Sequence, residues 1–305
     1  MNDVTILLGS AFLLMTPILL ASLGEIVIER SGTLNIAIEG VMLSGCFAAA
    51  GMLQLKSSLL VAAAVSIPFG GLLGLVLAWL FVGRRINQIV GGVMFNLLAL
   101  GLTTLLFSSF FKSDSLGAVE SRVSIPLLSQ IPVIGKALFD QPLLCYIAIA
   151  LVPLAFWLLF ASWFGLHCRA AGERPEAVDT VGVSVEGVRT SALVIGCAMI
   201  SLGGASIVVL QAGAFTPGMT EGIGFIALAI AMVARWNPLL AVPSAALFGL
   251  AQSFSFQAQT LGIDAVPSQV WAALPYVVTI AAVAIGHAAR YPDAIAVPFT
   301  RRESA

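Results

Sequence analysis

Charge is what this chain lacks most. Of its 305 residues, 10% are Asp, Glu, Lys or Arg and 59% are apolar, whereas soluble domains carry about 25% charged residues. An ordinary water-soluble surface is excluded. The mean hydropathy of +1.04 identifies a polytopic membrane protein. The net charge of −1 gives no electrostatic case for nucleic acid. Histidine is scarce: His167 and His287 lie far apart at predicted helix ends and read as interfacial side chains, so no metal site is expected. The cysteines Cys46, Cys145, Cys168 and Cys197 show no paired spacing, which argues against a disulfide or metal framework. The pair Gly135-Lys136 lacks the flanking residues of a phosphate loop. No Ser/His/Asp set or helically spaced carboxylate pair falls inside an apolar run, so an intramembrane enzyme is disfavoured. No basic leader opens MNDVTILLGSAFLLMTPILL, which reads as a first span and not as a cleaved signal peptide.

What is present is a series of apolar runs. Val4–Leu23, Ser58–Val82, Gln88–Phe111, Pro142–Phe164, Thr190–Leu210, Gly222–Ala234, Pro238–Ala258 and Ser268–Ala289 hold no Asp, Glu, Lys or Arg, and Ile36–Leu55 holds only Glu39. A helix needs about 20 apolar residues to cross the hydrocarbon. The expected fold is all-α, a single membrane domain over 1–305 with about nine crossings. Gly222–Ala234 is too short to span by itself and is expected to be completed, tilted or broken. Proline and scattered charge make Lys112–Gln141 a long external loop with at most short helices. Everything outside the lipid is loop-sized, so an ATP-binding unit has to be another chain.

Orientation follows from Lys and Arg. With the loop His167–Arg189 in the cytoplasm, that side collects Arg30, Arg84, Arg85, Arg169, Arg174, Arg189, Arg235, Arg290, Arg301 and Arg302. The other side holds Lys56, Lys112, Arg122 and Lys136. The excess obeys the positive-inside rule, with the N-terminus outside and the C-terminus inside.

Polar residues in apolar surroundings mark candidate sites. In GEIVIERSGTLNIAIEG, Ser31-Gly32 is predicted to break the helix, and Ser31, Thr33 and Asn35 are positioned to cap the next one. Glu39 then lies about one turn inside. It either caps its own or a neighbouring helix, or serves as a gate or proton-linked carboxylate. Asn96 either ties two helices together or faces a solute path, with Gly91 and Gly92 allowing close backbone approach. Thr216-Pro217-Gly218 interrupts the segment before Glu221, which reads either as a simple hairpin or as a broken span exposing backbone groups to a solute. Phe95, Phe215 and Phe225 flank these segments. A ring suits a nucleobase or a sugar face, and each also fits an ordinary core or lipid-facing position. Between two apolar runs, HCRAAGERPEAVDTVGVSVEGVR reads as a polar loop whose Ala-rich first half and Pro175–Val181 segment form a short surface helix, with Pro175 at a helix N-terminus.

Four ordered motifs, ERSGTLNIAIEGVMLSG, VGGVMFNLLA, RAAGERPEAVDTVGV and GIGFIALAIAMVARWNP, resemble the permease subunits of ATP-binding-cassette importers. The branch is the one that serves ribose-like sugars, nucleosides and branched-chain amino acids, and the nucleoside type is most similar. The resemblance implies a second permease subunit (a paralogue or a second copy), two ATPase subunits, an extracytoplasmic solute-binding protein and a bacterial plasma membrane. It implies no cofactor on this chain, ATP being used by the partner subunit. It also makes residues 166–189 a coupling loop, with Arg169, Ala170, Ala171, Gly172, Glu173 and Pro175 matching the family block. Arg174 stands where members often have Asn, and Ala37 where many have Gly. A secondary transporter using Glu39 as its coupling site is the rival from another class.

Overall fold

The computed structural model describes residues 3–110, 122–124, 134–260, 267–285 and 291–300. In hydrocarbon the backbone has to satisfy its own polar groups, and helix dominates accordingly. The helices are α1 (Asp3–Arg30), α2 (Ile38–Gln54), α3 (Leu59–Ala78), α4 (Gln88–Phe110), α5 (Ile134–Phe139), α6 (Leu143–Phe160), α7 (Trp163–Glu173), α8 (Pro175–Thr180), α9 (Val185–Ile207), α10 (Ile223–Val233), α11 (Pro238–Thr260) and α12 (Ser268–Ile285). Single π turns, Trp79–Gly83 and Val208–Ala212, extend α3 and α9. β1 (Arg122–Ser124) pairs antiparallel with β2 (Asp140–Pro142), with Val123 opposite Gln141. Of the long loop between α4 and α6, residues 111–121 and 125–133 lie outside the described residues.

Among the described residues, α1, α3, α4, α6, α9 and α11 are long and apolar enough to cross a membrane, and three shorter apolar helices lie at Ile38–Gln54, Ile223–Val233 and Gln269–Ala282. These account for all nine runs. The 11 residues of α10 reach only about 16 Å at 1.5 Å per residue, half a bilayer core, as the short run foretold.

The helices α1–α4 and α9–α12 follow one packing plan. α1 packs on α9; α3 packs on α9 as α11 packs on α1; α2 lies on α9 as α10 lies on α1; and α4 covers α2 as α12 covers α10. Each set runs from a long helix through a broken segment into a short helix. Small residues allow the crossings. A Cβ on Gly24 of α1 would strike the Gly196 carbonyl of α9, and one on Gly196 would strike the Gly24 carbonyl. Gly204 of α9 lies against the Met42 carbonyl of α2 in the same way. α9 is the axis of the bundle, 78% of its span being buried against 28% of α4.

Three expectations require correction. First, α1 runs on to Arg30, where Ser31-Gly32 breaks it as expected, but its last turns carry Glu25 and Glu29, a fully buried carboxylate pair at helical spacing where none was expected inside a span. Second, Ser31, Thr33 and Asn35 do not cap α2, whose N-cap is Ala37 with no side-chain bond. Ser31 Oγ instead turns back to the Ile28 carbonyl at 2.7 Å, and Asn35 Nδ2 donates to Glu25 Oε2 at 2.9 Å. Third, Arg189 belongs to α9 and is 3% exposed, although its charge placed it in a watery loop.

Candidate translocation and coupling sites

α2 and α10 begin at the same place, and Glu39 joins them. In the first turn of α2, its Oε1 accepts from the Gly222 N–H at 2.9 Å and its Oε2 from the Gly224 N–H at 2.8 Å. A helix N-terminus leaves its first N–H groups without intrahelical partners and carries partial positive charge. One carboxylate answers both needs for α10. Gly224 has to be glycine, since a Cβ there would sit 2.8 Å from the Glu39 Cα.

The start of α2 is capped from α4. Asn96 Oδ1 accepts from the Gly40 N–H at 2.7 Å, and its Nδ2 donates to the Ile36 carbonyl at 2.8 Å. Gly92, one turn earlier, lets α4 pass close to the chain, because a Cβ would lie 2.9 Å from the Ala37 nitrogen. Of the two roles open to Asn96, the geometry shows the helix tie. Below it, Gln88 Oε1 accepts the Leu34 N–H at 2.7 Å, so α4 grips the broken segment at both ends.

The other sequence-selected residues divide into two groups. Phe215 is 3% exposed and sits edge-on to Phe47 at 5.4 Å and tilted to Phe107 at 5.5 Å, as a core ring. Phe95 is half-buried against the core. Thr216, Glu221 and Phe225 are exposed on the rim of the break. Glu221 has φ 45°, a left-handed backbone unusual for a non-glycine residue, and its carbonyl accepts from Tyr276 Oη at 3.1 Å. A cavity of about 190 Å³ opens beside Glu221, lined among others by Gln252, Ser255, Gln259 and Tyr276.

At the Arg30 end of α1, the polar loop folds as two helices, α7 and α8, with Pro175 at the first position of α8. Ser162 Oγ caps α7 through the Gly165 N–H at 3.0 Å. Ala171 and Gly172 are buried, Ala170 and Arg169 are half-buried, and Glu173 and Arg174 are exposed. A Cβ on Gly172 would collide with the Arg30 carbonyl, so glycine is what lets α7 lie on the end of α1. The guanidinium groups of Arg30 and Arg169 lie 5.8 and 5.0 Å from the Phe160 ring, joining the ends of α1 and α6 to α7 by cation–π contact. Cys168 packs beneath, its thiol 3.6 Å from the Val27 carbonyl. Burial pushes its pKa up to about 12 against the pull of Arg30 and Arg169, so the thiol stays protonated at neutral pH.

Sequence reasoning missed Glu29, Trp236 and Arg189. Glu29 Oε2 accepts from Trp236 Nε1, and Arg30 Nε donates to the Trp236 carbonyl at 3.3 Å, which fixes the end of α10 to the end of α1. The signal was present as the charged end of one motif and the WNP of another.

A family model described as "Branched-chain amino acid transport system / permease component" matches residues 7–283. The chain is 34% identical over 93% of its length, and 93% of the relative, to "Nucleoside ABC transporter permease protein NupC" of Lactococcus lactis. It is 33% identical over 97% of both chains to "Guanosine ABC transporter permease protein NupQ" of Bacillus subtilis. It is 32% identical over 90% of its length, and 89% of the relative, to "Putative glucose ABC transporter permease protein TsgC13" of Haloferax volcanii. No solved structure matches the chain. A helical bundle with two half-length helices meeting at a carboxylate, and a folded polar loop docked on its end, thus belongs to the family of branched-chain amino acid transport system permease components, the membrane-spanning subunits of ABC transporters.

Proposed function

We propose that this chain imports a nucleoside, forming the path with a second permease subunit while separate ATPase subunits drive it and an external binding protein delivers solute. The observation that carries the reading is the break between α9 and α10. It sets the exposed Thr216, Glu221 and Phe225 next to backbone that has left the helix, and non-helical backbone at membrane depth is tolerated where it lines a cavity or is buried in protein. A carboxylate and an aromatic ring on one rim suit a heteroaromatic base with N–H donors. The cavity beside Glu221 is smaller than the roughly 300–1,000 Å³ of an enclosing ligand pocket, so it would take a polar group of the solute while a facing subunit completes the site. Asn96 supports the path without lining it.

In this reading α7 and α8 face the cytoplasm and fit a cleft of the ATPase, with Glu173, Arg174 and Glu176 on the exposed side. The membrane is the bacterial plasma membrane and the C-terminus is cytoplasmic. ATP is bound and hydrolysed by the partner. Approach of the ATPase subunits pushes on α7, and its close seat on the end of α1 tilts the helices that hold the break. A ribose-like sugar is the second cargo, supported by the glucose-named relative.

The test is uptake of labelled guanosine, uridine, ribose and glucose in cells lacking and regaining this chain beside its ATPase and binding protein. Nucleoside uptake restored only when the ATPase is intact is the expected result. Sugar uptake alone overturns the nucleoside cargo, and uptake that survives loss of the ATPase but falls with a collapsed ion gradient overturns the importer.

A further inference from the structure

Residues 291–300 lie across the loop-bearing end of the bundle as an extended strap with turns. Its backbone makes two long-range donations: the Ala294 N–H to the Gly172 carbonyl at 2.8 Å, and the Ala296 N–H to the Gly32 carbonyl at 3.2 Å. One bond reaches the end of α7 and the other reaches the turn after α1. The buried guanidinium of Arg189, in the first turns of α9, closes the set. Its Nε donates to the Ser31 carbonyl at 3.2 Å, its Nη1 to the Val297 carbonyl at 2.8 Å and its Nη2 to the Ala294 carbonyl at 3.4 Å. The Tyr291 ring rests on Trp236 at 4.8 Å, and Phe299 lines a small cavity with Asp179, Val183 and Glu186.

The strap therefore touches five segments at this end: the turn after α1, the end of α7, the segment after α8, the start of α9 and the segment after α10. A buried arginine needs its donors satisfied, and three of the acceptors here are carbonyls of irregular chain, an arrangement that forms only when the strap is in place. Its outer side is exposed at Asp293, Val297 and Pro298, and the exposed Val181 lies on the same end.

We propose that residues 291–300 are an integral part of the ATPase-docking surface, a strap that makes α7, the end of α1 and the start of α9 move as one body when the ATPase pushes. This rests on the importer reading above. Without the strap, α7 would keep its packing on α1 and α9 but lose the hydrogen-bonded path from Gly172 through Ala294 to Arg189, which ties its last turn to the axis of the bundle. A push would then be absorbed locally, and ATP would be spent without solute movement.

The test compares the full chain with one ending at Arg290, with Ala294→Pro, which deletes the donor to Gly172, and with Arg189→Lys, which keeps the charge but not the three-carbonyl fork. Each is assembled with its ATPase and second permease. Membrane abundance, ATPase retention, solute-stimulated ATP hydrolysis, uptake and alkylation of Cys168 at neutral pH are measured. Expected are near-normal abundance, an uptake loss of about tenfold or more, as for removal of a coupling of one to two kcal/mol, hydrolysis no longer stimulated by solute, and faster Cys168 alkylation. Uptake and stimulation within about twofold of the full chain in Ala294→Pro and Arg189→Lys would overturn the strap, even if the truncated chain fails to accumulate. If the full chain retains no ATPase, the importer reading fails instead. Cys168 alkylation unchanged by all three variants would then show that the strap does not hold α7.

Discussion

Two short helices start in the middle of this protein, each with a Glu-Gly step, and the two glutamates are used in opposite ways. Glu39 leads α2 and spends both carboxylate oxygens on the N–H groups of Gly222 and Gly224 at the head of α10. Glu221 leads α10 and is exposed, its carbonyl held by Tyr276, its carboxylate free of hydrogen bonds to the described residues. Glu39 belongs to its neighbour's helix, and Asn96 does for α2 what Glu39 does for α10. The same dipeptide, inside the first turn of α2 and just ahead of the first turn of α10, is a structural joint in the one and an open polar edge in the other. The role is set by what stands opposite the side chain: a helix N-terminus in the first case, open space in the second.

Removing the joint has the largest expected effect. Glu39→Ala strips two N–H groups of a charged acceptor in a part-buried site, and hydrogen bonds to charged groups are worth about 1.5–3 kcal/mol each. A loss of about 3 kcal/mol or more is expected, read as a large drop in the melting temperature of the detergent-solubilised protein. Glu39→Gln keeps one acceptor oxygen and should lose about half as much. Melting of Glu39→Ala at the wild-type temperature would break the contrast between the two glutamates.

How much of this was legible in the sequence depended on whether the signal was local. The nine apolar runs, the shortness of α10 and the start of α8 at Pro175 are local patterns, and the structure repeats them. That Glu39 caps a helix was one of two open roles, because a carboxylate early in a helix has few inexpensive uses in lipid. That it caps α10 was not readable, since Gly222 is 183 positions away and no pattern in one chain pairs them. Ser31-Gly32 marks the end of α1, but hydropathy does not show that the turns between the apolar run and that break are buried: inside the bundle Asn35 and Trp236 supply partners to Glu25 and Glu29. Charge misled at Arg189 for the same reason: three carbonyls replaced the water that the loop assignment assumed. Phe215 shows the limit for aromatics, since a ring beside a break packs into the core as readily as it faces a solute.

The Asn96 tie comes second in size. Asn96→Leu removes an acceptor from the Gly40 N–H and a donor from the Ile36 carbonyl, two neutral bonds of about 1 kcal/mol each, so a destabilisation of about 2 kcal/mol is expected. Asn96→Asp keeps the acceptor but turns an oxygen toward the Ile36 carbonyl, and should recover less than half of that loss. Thermal melting and uptake measured on the same preparations separate the roles. A variant that melts normally but fails to transport would move Asn96 from the joint to the path and pair it with Glu221.

The smallest effect on stability is expected at Glu221, and this tests the contrast from its other side. Its side chain is exposed, and the bond that holds this residue runs through its backbone carbonyl to Tyr276, so Glu221→Gln leaves that bond in place. Surface substitutions away from special contacts stay within about 0.5 kcal/mol, and the melting temperature should be nearly unchanged. Uptake should fall, because an amide offers a solute N–H one weaker acceptor where the carboxylate offers two charged oxygens. A solute lacking adjacent N–H donors should be affected less, so the ratio of guanosine to uridine uptake is the sharper readout. Glu221→Gly, which relieves the left-handed φ of 45° at a position where glycine costs no steric strain, provides the control: it should melt no lower than Glu221→Gln while transporting no better. Should Glu221→Gln melt as low as Glu39→Gln, the exposed glutamate is a second joint and the two helix starts are alike after all.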